Sequence, residues 1–208
     1  FGPIGDGVVR FRPDGSELEQ YVSHRGNTWG MDITMDGEIF YTKPTNGNPL
    51  THAVLPEYIL EKGKIPGVSG GNGLLPEERL YPAVTWEHQA YVQIDRIGGY
   101  TAASGCAIYE GGAWPDEWKL GYFTAEPTVN VISHFNVVKQ GTTYSAERVE
   151  GRKEKEFIRS SNMWFRPIEL RTGPDGALYI VDFCNQAIMH NDTRGPVHGP
   201  AHAALRPD

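Results

Sequence analysis

Several polar side chains of this chain follow predicted strands, where a rigid scaffold usually carries catalytic or binding groups. His52 lies in the predicted loop 45–52, directly after the strand predicted over residues 39–42. Histidine titrates near neutral pH, so we predict that His52 acts as a general base. A lone loop histidine also fits a residue without a catalytic role, and the sequence leaves both interpretations open.

Two carboxylates stand at predicted strand ends. Glu126 borders a proline turn, where a buried carboxylate could hold Ca²⁺ or orient a histidine. Asp182 follows the strand predicted over residues 177–181 and begins a polar group that continues with Asn185, His190 and Asp192. Such oxygens suit a hard cation or the hydroxyls of a sugar. Both places equally fit hydrogen-bonded corners that hold no ligand.

The elements that must position these side chains are short strands joined by tight turns. Asp-Gly pairs at 14–15, 36–37 and 175–176 each separate two short apolar runs, which predicts hairpins. The two better copies lie 139 residues apart, which fits about three repeats of roughly 40 to 50 residues. Recurring hairpins without a long helical period predict an all-β fold, a β-propeller, with a β-sandwich as the alternative.

Composition excludes several classes of function. The formal charge of −7 and the absence of a basic stripe argue against nucleic-acid binding. No apolar run reaches the length of a membrane span in this segment.

The chain has two cysteines, Cys106 and Cys184, which are too few for a disulfide scaffold. We predict that they are buried thiols rather than a disulfide pair. The basic segment 148–155 alternates with glutamates, which predicts an exposed hairpin tip.

The length of the chain bounds its domain organisation. At about 45 residues a blade, 208 residues cover about four blades, whereas closed propellers commonly have six or more. We therefore expect residues 1–208 to form a single β-propeller segment of a larger chain. Trp29 and Trp164 are predicted to fill the core between blades, and the loop residues Trp86, Trp114 and Trp118 are predicted to be exposed.

Three segments together resemble a known family. They are residues 25–30 (Arg-Gly-Asn-Thr-Trp-Gly), 164–167 (Trp-Phe-Arg-Pro) and 173–179 (Gly-Pro-Asp-Gly-Ala-Leu-Tyr), with further matches at 101–109 and 123–130. They resemble the β-propeller "membrane-bound dehydrogenase" family of planctomycetes and their relatives, which is similar to soluble PQQ-dependent glucose and sorbosone dehydrogenases. The resemblance implies a six-bladed propeller, periplasmic or secreted, often joined to a c-type haem domain. Because no Cys-x-x-Cys-His occurs here, this segment carries no covalent haem.

The resemblance also implies a site for PQQ, a tricarboxylated quinone, usually with Ca²⁺. Arg25 and Asn27 match an adjacent Arg-Asn pair on the cofactor of the soluble glucose dehydrogenases, although Gly26 separates them here. Arg166, beside Pro167, is the next candidate because a guanidinium binds carboxylates through two parallel hydrogen bonds. Arg166 fits inter-blade packing equally well. Lys43 is the lysine best placed to reach a central site.

The function implied by the resemblance is an exported, PQQ-dependent-type dehydrogenase. It would oxidise a sugar or a related alcohol or aldehyde and pass electrons to a c-type cytochrome or haem domain. His52 would be the base, and the metal candidates are Glu126 and Asp182. The alternative is a non-catalytic propeller scaffold that binds a protein partner or a glycan. Convergence of the basic candidates and His52 on one axial funnel would favour the enzyme.

Overall fold

The computed structural model describes residues 4–23, 26–44, 47–64, 68–75, 78–84, 98–185 and 188. Nearly all of its regular elements are short strands. The strands are β1 (Gly7–Arg10), β2 (Glu19–Ser23), β3 (Met31–Ile33), β4 (Ile39–Lys43), β5 (Asn48–Ala53), β6 (Gly71–Gly73), β7 (Cys106–Tyr109), β8 (Gly121–Glu126), β9 (Val131–Gln140), β10 (Thr143–Glu147), β11 (Ile158–Arg159), β12 (Pro167–Thr172) and β13 (Leu178–Asp182). The other elements are α1 (Glu57–Gly63) and 3₁₀ turns at Asp116–Trp118 and Pro127–Val129.

The described strands form four antiparallel sheets, each built from consecutive strands. Their orders are β1-β2, β3-β4-β5-β6, β7-β8-β9-β10 with β11 also paired to β9, and β12-β13. A four-stranded meander drawn from one stretch of sequence is the unit from which a propeller blade is made. The predicted all-β fold of the propeller type is therefore confirmed, and the number of blades stays a prediction. Within the described ranges, no helix is long and apolar enough to cross a membrane.

The sheet of β7 to β11 is buried on both faces at its centre. In β7, Cys106 and Ile108 pack into one apolar cluster, while Ala107 and Tyr109 pack into the other. This separation follows from the two-residue period of a strand, which sends alternate side chains to opposite faces. All six residues of β8 are buried. The core of the described chain therefore lies on either side of this sheet.

The first strands of three successive sheets begin side by side, with their backbones in close contact. A Cβ atom added to Gly30 would lie 2.3 Å from the carbonyl oxygen of Ser104, and one added to Gly105 would lie 2.4 Å from Cα of Glu169. Only glycine fits at such distances. Thr42 donates its hydroxyl to the Ser104 carbonyl at 3.0 Å and so joins β4 to the same place. We call this end, where β3, β7 and β12 begin, the upper end of the sheets.

The opposite, lower end carries the β3–β4 turn. The amide of Met35 in that turn donates to Oε2 of Glu110, which follows β7, at 2.7 Å. Glu38 precedes β4 at the same end. The two ends of the sheets therefore present different sets of side chains.

His52 does not lie in a loop, so that prediction is wrong. Residues 48–53 form β5, and His52 pairs with Phe40 of β4. The reason is a tight connection: the amide of Gly47, at a φ of 64°, donates to the carbonyl of Pro44. The chain therefore turns directly into a new strand. The sheet therefore extends further along the chain than the turn-rich sequence suggested.

The placement of the tryptophans also differs from the prediction. Trp29 is 66% exposed and Trp164 is 50% exposed, so neither fills the core between sheets. The backbones of neighbouring strands meet at Gly30 and Gly105, which leaves no room there for an indole ring. Trp114 and Trp118 are instead partly buried against an apolar cluster. Trp86 lies outside the described residues.

Two further predictions need correction. Arg148 is buried rather than exposed, because its Nε donates to Glu78 at 2.5 Å and its Nη2 pairs with Glu156 at 3.0 Å. Residues 150–155 of the same segment are exposed, as predicted. The thiol of Cys106 is free and buried as predicted, whereas Cys184 is free and exposed.

Candidate functional site at the upper end of the sheets

Arg166 is a buried cross-brace between two turns. Its side chain is 0% exposed, and its Nη1 donates to the carbonyls of Pro127 at 2.8 Å and Thr128 at 3.1 Å. Its Nε donates to the carbonyl of Asn185 at 2.9 Å. Burial lowers the pKa of Arg166 to about 10, and the charge of nearby Asp182 opposes that shift. Arg166 therefore joins the turn after β8 to the segment after β13.

Glu126 organises the loop that leads into β7. Its Oε2 accepts hydrogen bonds from the amides of Thr101 at 2.9 Å and Ala102 at 2.8 Å, and its Oε1 accepts from the amide and hydroxyl of Thr128. Burial raises the pKa of this fully buried carboxyl, and the four donors oppose the shift. Both carboxylate oxygens are thus occupied by protein donors.

Asn130 fixes the backbone that presents Trp164. It occupies the left-handed region at a φ of 61°, which asparagine tolerates better than most residues. Its Nδ2 donates to the carbonyl of Phe165 at 2.6 Å and lies 3.5 Å from that of Met163. Asn130 therefore contacts the backbone on both sides of Trp164. The Trp164 amide donates to Oδ1 of Asn162 at 3.0 Å. The backbone on both sides of the exposed Trp164 is therefore fixed by hydrogen bonds.

Three exposed aromatic side chains lie at the upper end. Trp29 directly precedes Gly30, and Trp164 lies just before β12. Phe183 follows β13 and is 55% exposed, and its amide donates to the Arg166 carbonyl at 2.9 Å. The three aromatics therefore border the place where the first strands meet.

Polar candidates accompany these aromatics. Lys43 ends β4 and is half-buried, and burial lowers the pKa of its ammonium group. Lys43 makes no ion pair with any acidic side chain of the described part of the chain. Asp182 accepts the amides of Arg166 and Cys184, each at 2.8 Å, on a single oxygen, Oδ1. Asn27 is exposed in the loop before β3. Arg25 and His190 lie outside the described residues.

His52 lies towards the lower end of its sheet. Its register opposite Phe40 places it about 10 Å along the strands from the end that Lys43 occupies. Its Nε2 is 2.7 Å from Oε2 of Glu38, and its Nδ1 is 3.4 Å from the hydroxyl of Thr143. The imidazole is 1% exposed. The structure thus brings Lys43, Glu126, Arg166 and Asp182 to one end and places His52 towards the other.

Two of the residues that the sequence assigned to PQQ and Ca²⁺, Arg166 and Glu126, already bind groups of the protein. The Nε and Nη1 donors of Arg166 are hydrogen-bonded to backbone carbonyls. Both carboxylate oxygens of Glu126 accept hydrogen bonds from the protein, so neither is available to a cation. Among residues with described side chains, no group of three or more His, Cys, Asp or Glu could hold a metal ion. Among the described candidates, Lys43 is the cation that remains suited to a carboxylate.

Sequence reasoning missed the roles of Asn130 and Phe183. An asparagine three residues after a proline, at the end of an apolar run, is a signal for a left-handed turn residue. Phe183 continues the alternation of Tyr179 and Val181, whose side chains are 55% and 50% exposed. That alternation indicates a strand with one face turned to solvent. Both patterns can be found in the sequence, but neither pattern predicts at which end of a sheet the side chain lies.

Comparisons with known proteins give the family of the chain. A family model described as "Domain of unknown function (DUF7133)" matches residues 2–208, and the chain therefore belongs to this family. No curated protein matches significantly. The resemblance to the planctomycete dehydrogenases stays a prediction.

Several solved structures are similar to the chain at low identity. Soluble aldose sugar dehydrogenase from Escherichia coli, in its apo form, is 14% identical with a TM-score of 0.40, over 75% of this chain and 41% of that one. A glucose dehydrogenase-type oxidoreductase from Thermus thermophilus is 19% identical with a TM-score of 0.44, over 87% and 43%. A further glucose dehydrogenase is 19% identical with a TM-score of 0.34, over 75% and 37%. The chain thus spans about two fifths of the length of these proteins.

Proposed function

We propose that this member of the DUF7133 family binds a sugar or a related polyol at the upper end of its sheets. The observation that carries the proposal is the group of three exposed aromatic side chains, Trp29, Trp164 and Phe183. Aromatic faces with polar groups beside them suit a pyranose ring, which has apolar faces and a rim of hydroxyls. Asn27 and Asp182 are exposed in the same region and can exchange hydrogen bonds with hydroxyls.

Three exposed aromatic rings at one end of the sheets are stronger evidence for a binding site than a single exposed apolar residue would be. Isolated exposed hydrophobic side chains are ordinary on a protein surface, whereas a group of them marks a binding site. The backbone that carries Trp164 is also fixed before any ligand binds, because Asn130 donates hydrogen bonds to the carbonyls on both sides of it. A backbone segment fixed in advance loses less conformational entropy on binding. The position of Trp164 at the upper end therefore does not have to be ordered by the ligand.

Oxidation of that sugar by bound PQQ, with electrons passed to a c-type cytochrome, is the second candidate function. The observation that favours it is Lys43, because a half-buried ammonium without an acidic partner in the described ranges suits a carboxylate of an anionic ligand. A periplasmic or secreted location belongs to this candidate. His52, the base that the sequence predicted, has its two ring nitrogens next to Glu38 and Thr143 towards the other end of the sheet, so it lies too far away to take a proton from a sugar bound at the upper end.

The first experiment is isothermal titration calorimetry of the full-length protein with glucose and with a linear gluco-oligosaccharide. Trp29→Ala and Trp164→Ala are each expected to weaken binding about tenfold, which corresponds to about 1.4 kcal/mol. Met35→Ala is the matched control, because Met35 is an apolar side chain that is 91% exposed at the lower end. That variant is expected to bind like the parent protein.

A second titration separates the two candidate functions. The protein is mixed with PQQ and Ca²⁺, and dye reduction is followed with the same sugars. Turnover that is lost in Lys43→Ala establishes the dehydrogenase, and sugar binding without turnover establishes a glycan-binding scaffold. If no sugar binds saturably, or if Met35→Ala weakens binding as much as the tryptophan variants, the proposed site is wrong.

A further inference from the structure

Trp29 and Lys43 lie on neighbouring strand ends of the upper-end site. Met31 of β3 pairs with Tyr41 of β4, and continuing this register by two residues places Trp29 opposite Lys43. A backbone hydrogen bond of 3.0 Å between the intervening residues holds the two strands together there. Opposite residues of an antiparallel pair share one face, with Cβ atoms about 4.5–5.5 Å apart. An aromatic ring and a positive charge are therefore side by side at this end of the sheet.

The indole of Trp29 is open to a ligand, because Lys43 does not cover it. The Trp29 side chain is 66% exposed. Nζ of Lys43 lies 5.8 Å from the centre of the Tyr41 ring, so the lysine side chain follows its own strand. A ligand ring stacked on the indole would therefore have the ammonium group at its edge.

Lys43 carries a charge that no acidic side chain of the described ranges balances. It is half-buried, and burial lowers the pKa of its ammonium group because the charged form loses part of its hydration. Glu126, a buried carboxylate of the same end, has both oxygens occupied by protein donors. An anion on a ligand beside Lys43 would offset the lost hydration.

Asp182 limits the charge that this anion can carry. It is exposed at the upper end, and its Oδ1 is held by two backbone amides. Arg166 is 0% exposed, so Lys43 is the accessible cation among the candidates that the structure describes. A phosphate group, with nearly two negative charges, would meet one cation and one carboxylate, whereas a single carboxylate needs only the lysine. The charges therefore favour a monoanion.

We propose that the sugar bound at the upper end is a uronic acid. Its pyranose face would lie on Trp29, and its carboxylate, attached directly to the ring, would contact Nζ of Lys43. This inference rests on the proposed sugar site and names the class of sugar that the site takes. A neutral sugar would lack the ion pair and bind more weakly.

The test compares methyl β-glucuronide with methyl β-glucoside, which share the ring and differ by a carboxylate in place of a hydroxymethyl group. The full-length protein is titrated calorimetrically at low salt and without PQQ, so that no quinone carboxylate competes for Lys43. The parent protein is expected to bind the glucuronide about tenfold more tightly. Lys43→Met keeps an unbranched stem and removes the charge, and it is expected to reduce this preference to about twofold or less. Lys43→Arg keeps the charge and is expected to retain most of the preference.

Lys139→Met is the matched control. Lys139 is exposed, and its Nζ lies 6.0 Å from the centre of the Tyr144 ring towards the lower end, so this lysine also lies beside a tyrosine. This variant is expected to keep the preference for the glucuronide. Trp29→Ala is expected to weaken the binding of both glycosides by a similar factor, because both rings stack on the indole.

Three results would each overturn the assignment of a uronic acid. They are equal binding of the two glycosides by the parent protein, an unchanged preference in Lys43→Met, and tighter binding of glucose-6-phosphate than of the glucuronide. The sugar site itself stays supported after any of these results if Trp29→Ala still weakens binding of the glucoside. If neither glycoside binds saturably, the proposed function fails together with this inference.

Discussion

The replacement of His134 by phenylalanine tests whether burial in the β7–β11 sheet keeps this histidine neutral. His134 is 7% exposed, and its ring stacks on Phe123 and Trp118 with centroid distances of 4.5 and 4.9 Å. Neither ring nitrogen has a hydrogen-bond partner among the described residues. Burial, with a smaller effect of the Arg152 charge, lowers the pKa of His134 from 6.5 to about 4. The histidine is therefore neutral in the folded protein at neutral pH.

The pH dependence of stability follows from this lowered pKa. At pH 8, well above 6.5, His134 is neutral in both the folded and the unfolded states, and it contributes no pH dependence. As the pH falls from 6.5 towards 4, the unfolded chain binds a proton at His134 and the folded protein does not, so stability is lost. With pKa values of 6.5 and about 4, the loss amounts to about 2 kcal/mol at pH 5 and about 3 kcal/mol at pH 4.

The assay is urea denaturation of the parent and of His134→Phe at pH 8, 6 and 5. The expected result is that the difference in unfolding free energy between the two proteins shifts by about 2 kcal/mol in favour of the variant from pH 8 to pH 5. Any constant packing cost of the larger ring cancels in this comparison, as does the titration of every other histidine. A difference that does not change with pH would refute the reasoning, because His134 would then titrate alike in both states.

Two further predictions concern contacts between sheets. Gly105→Ala is expected to lower the unfolding free energy by about 3 kcal/mol or more, because its Cβ would lie 2.4 Å from the backbone of β12. Gly5→Ala is the control in the same urea assay, because a Cβ at Gly5 would have no atom within 4 Å. Arg148→Met is expected to cost about 3–5 kcal/mol because it leaves the fully buried Glu156 without its cation. Adding Glu156→Leu should recover part of that loss in thermal and urea unfolding, and no recovery would contradict the ion-pair explanation.

The hairpins were the part of the fold that the sequence predicted best. Gly15, Gly37 and Gly176 all have positive φ values, of 82°, 89° and 77°, as the three Asp-Gly turns require. Turn chemistry acts within four residues, so local sequence is sufficient to specify it. The β5 strand was missed because Asn48-Pro49 at its start looks like a continued loop. Its partners, β4 and β6, decide its conformation.

The candidate site could be predicted only in part. Four of the candidates come from different parts of the sequence, and the order of the sheets brings them to one end: Lys43, Glu126, Arg166 and Asp182. That Arg166 is buried could not be read from its neighbours, because its partners are backbone carbonyls, which every residue possesses. The same applies to Glu126, whose donors are mainly amides. Side-chain chemistry in a sequence therefore identifies candidates, but backbone geometry decides which of them remain available to a ligand.

The construction of each sheet from consecutive strands has a consequence for how the protein is made. Pairing neighbours such as β8 and β9 closes only a short loop, so little chain entropy is lost before the contact forms. Contacts that are local in sequence also favour fast folding. A chain leaving the ribosome can therefore complete the sheet of β3 to β6 before β7 has been synthesised. The close backbone contacts at Gly30 and Gly105 would then form late in folding, when completed sheets pack against each other.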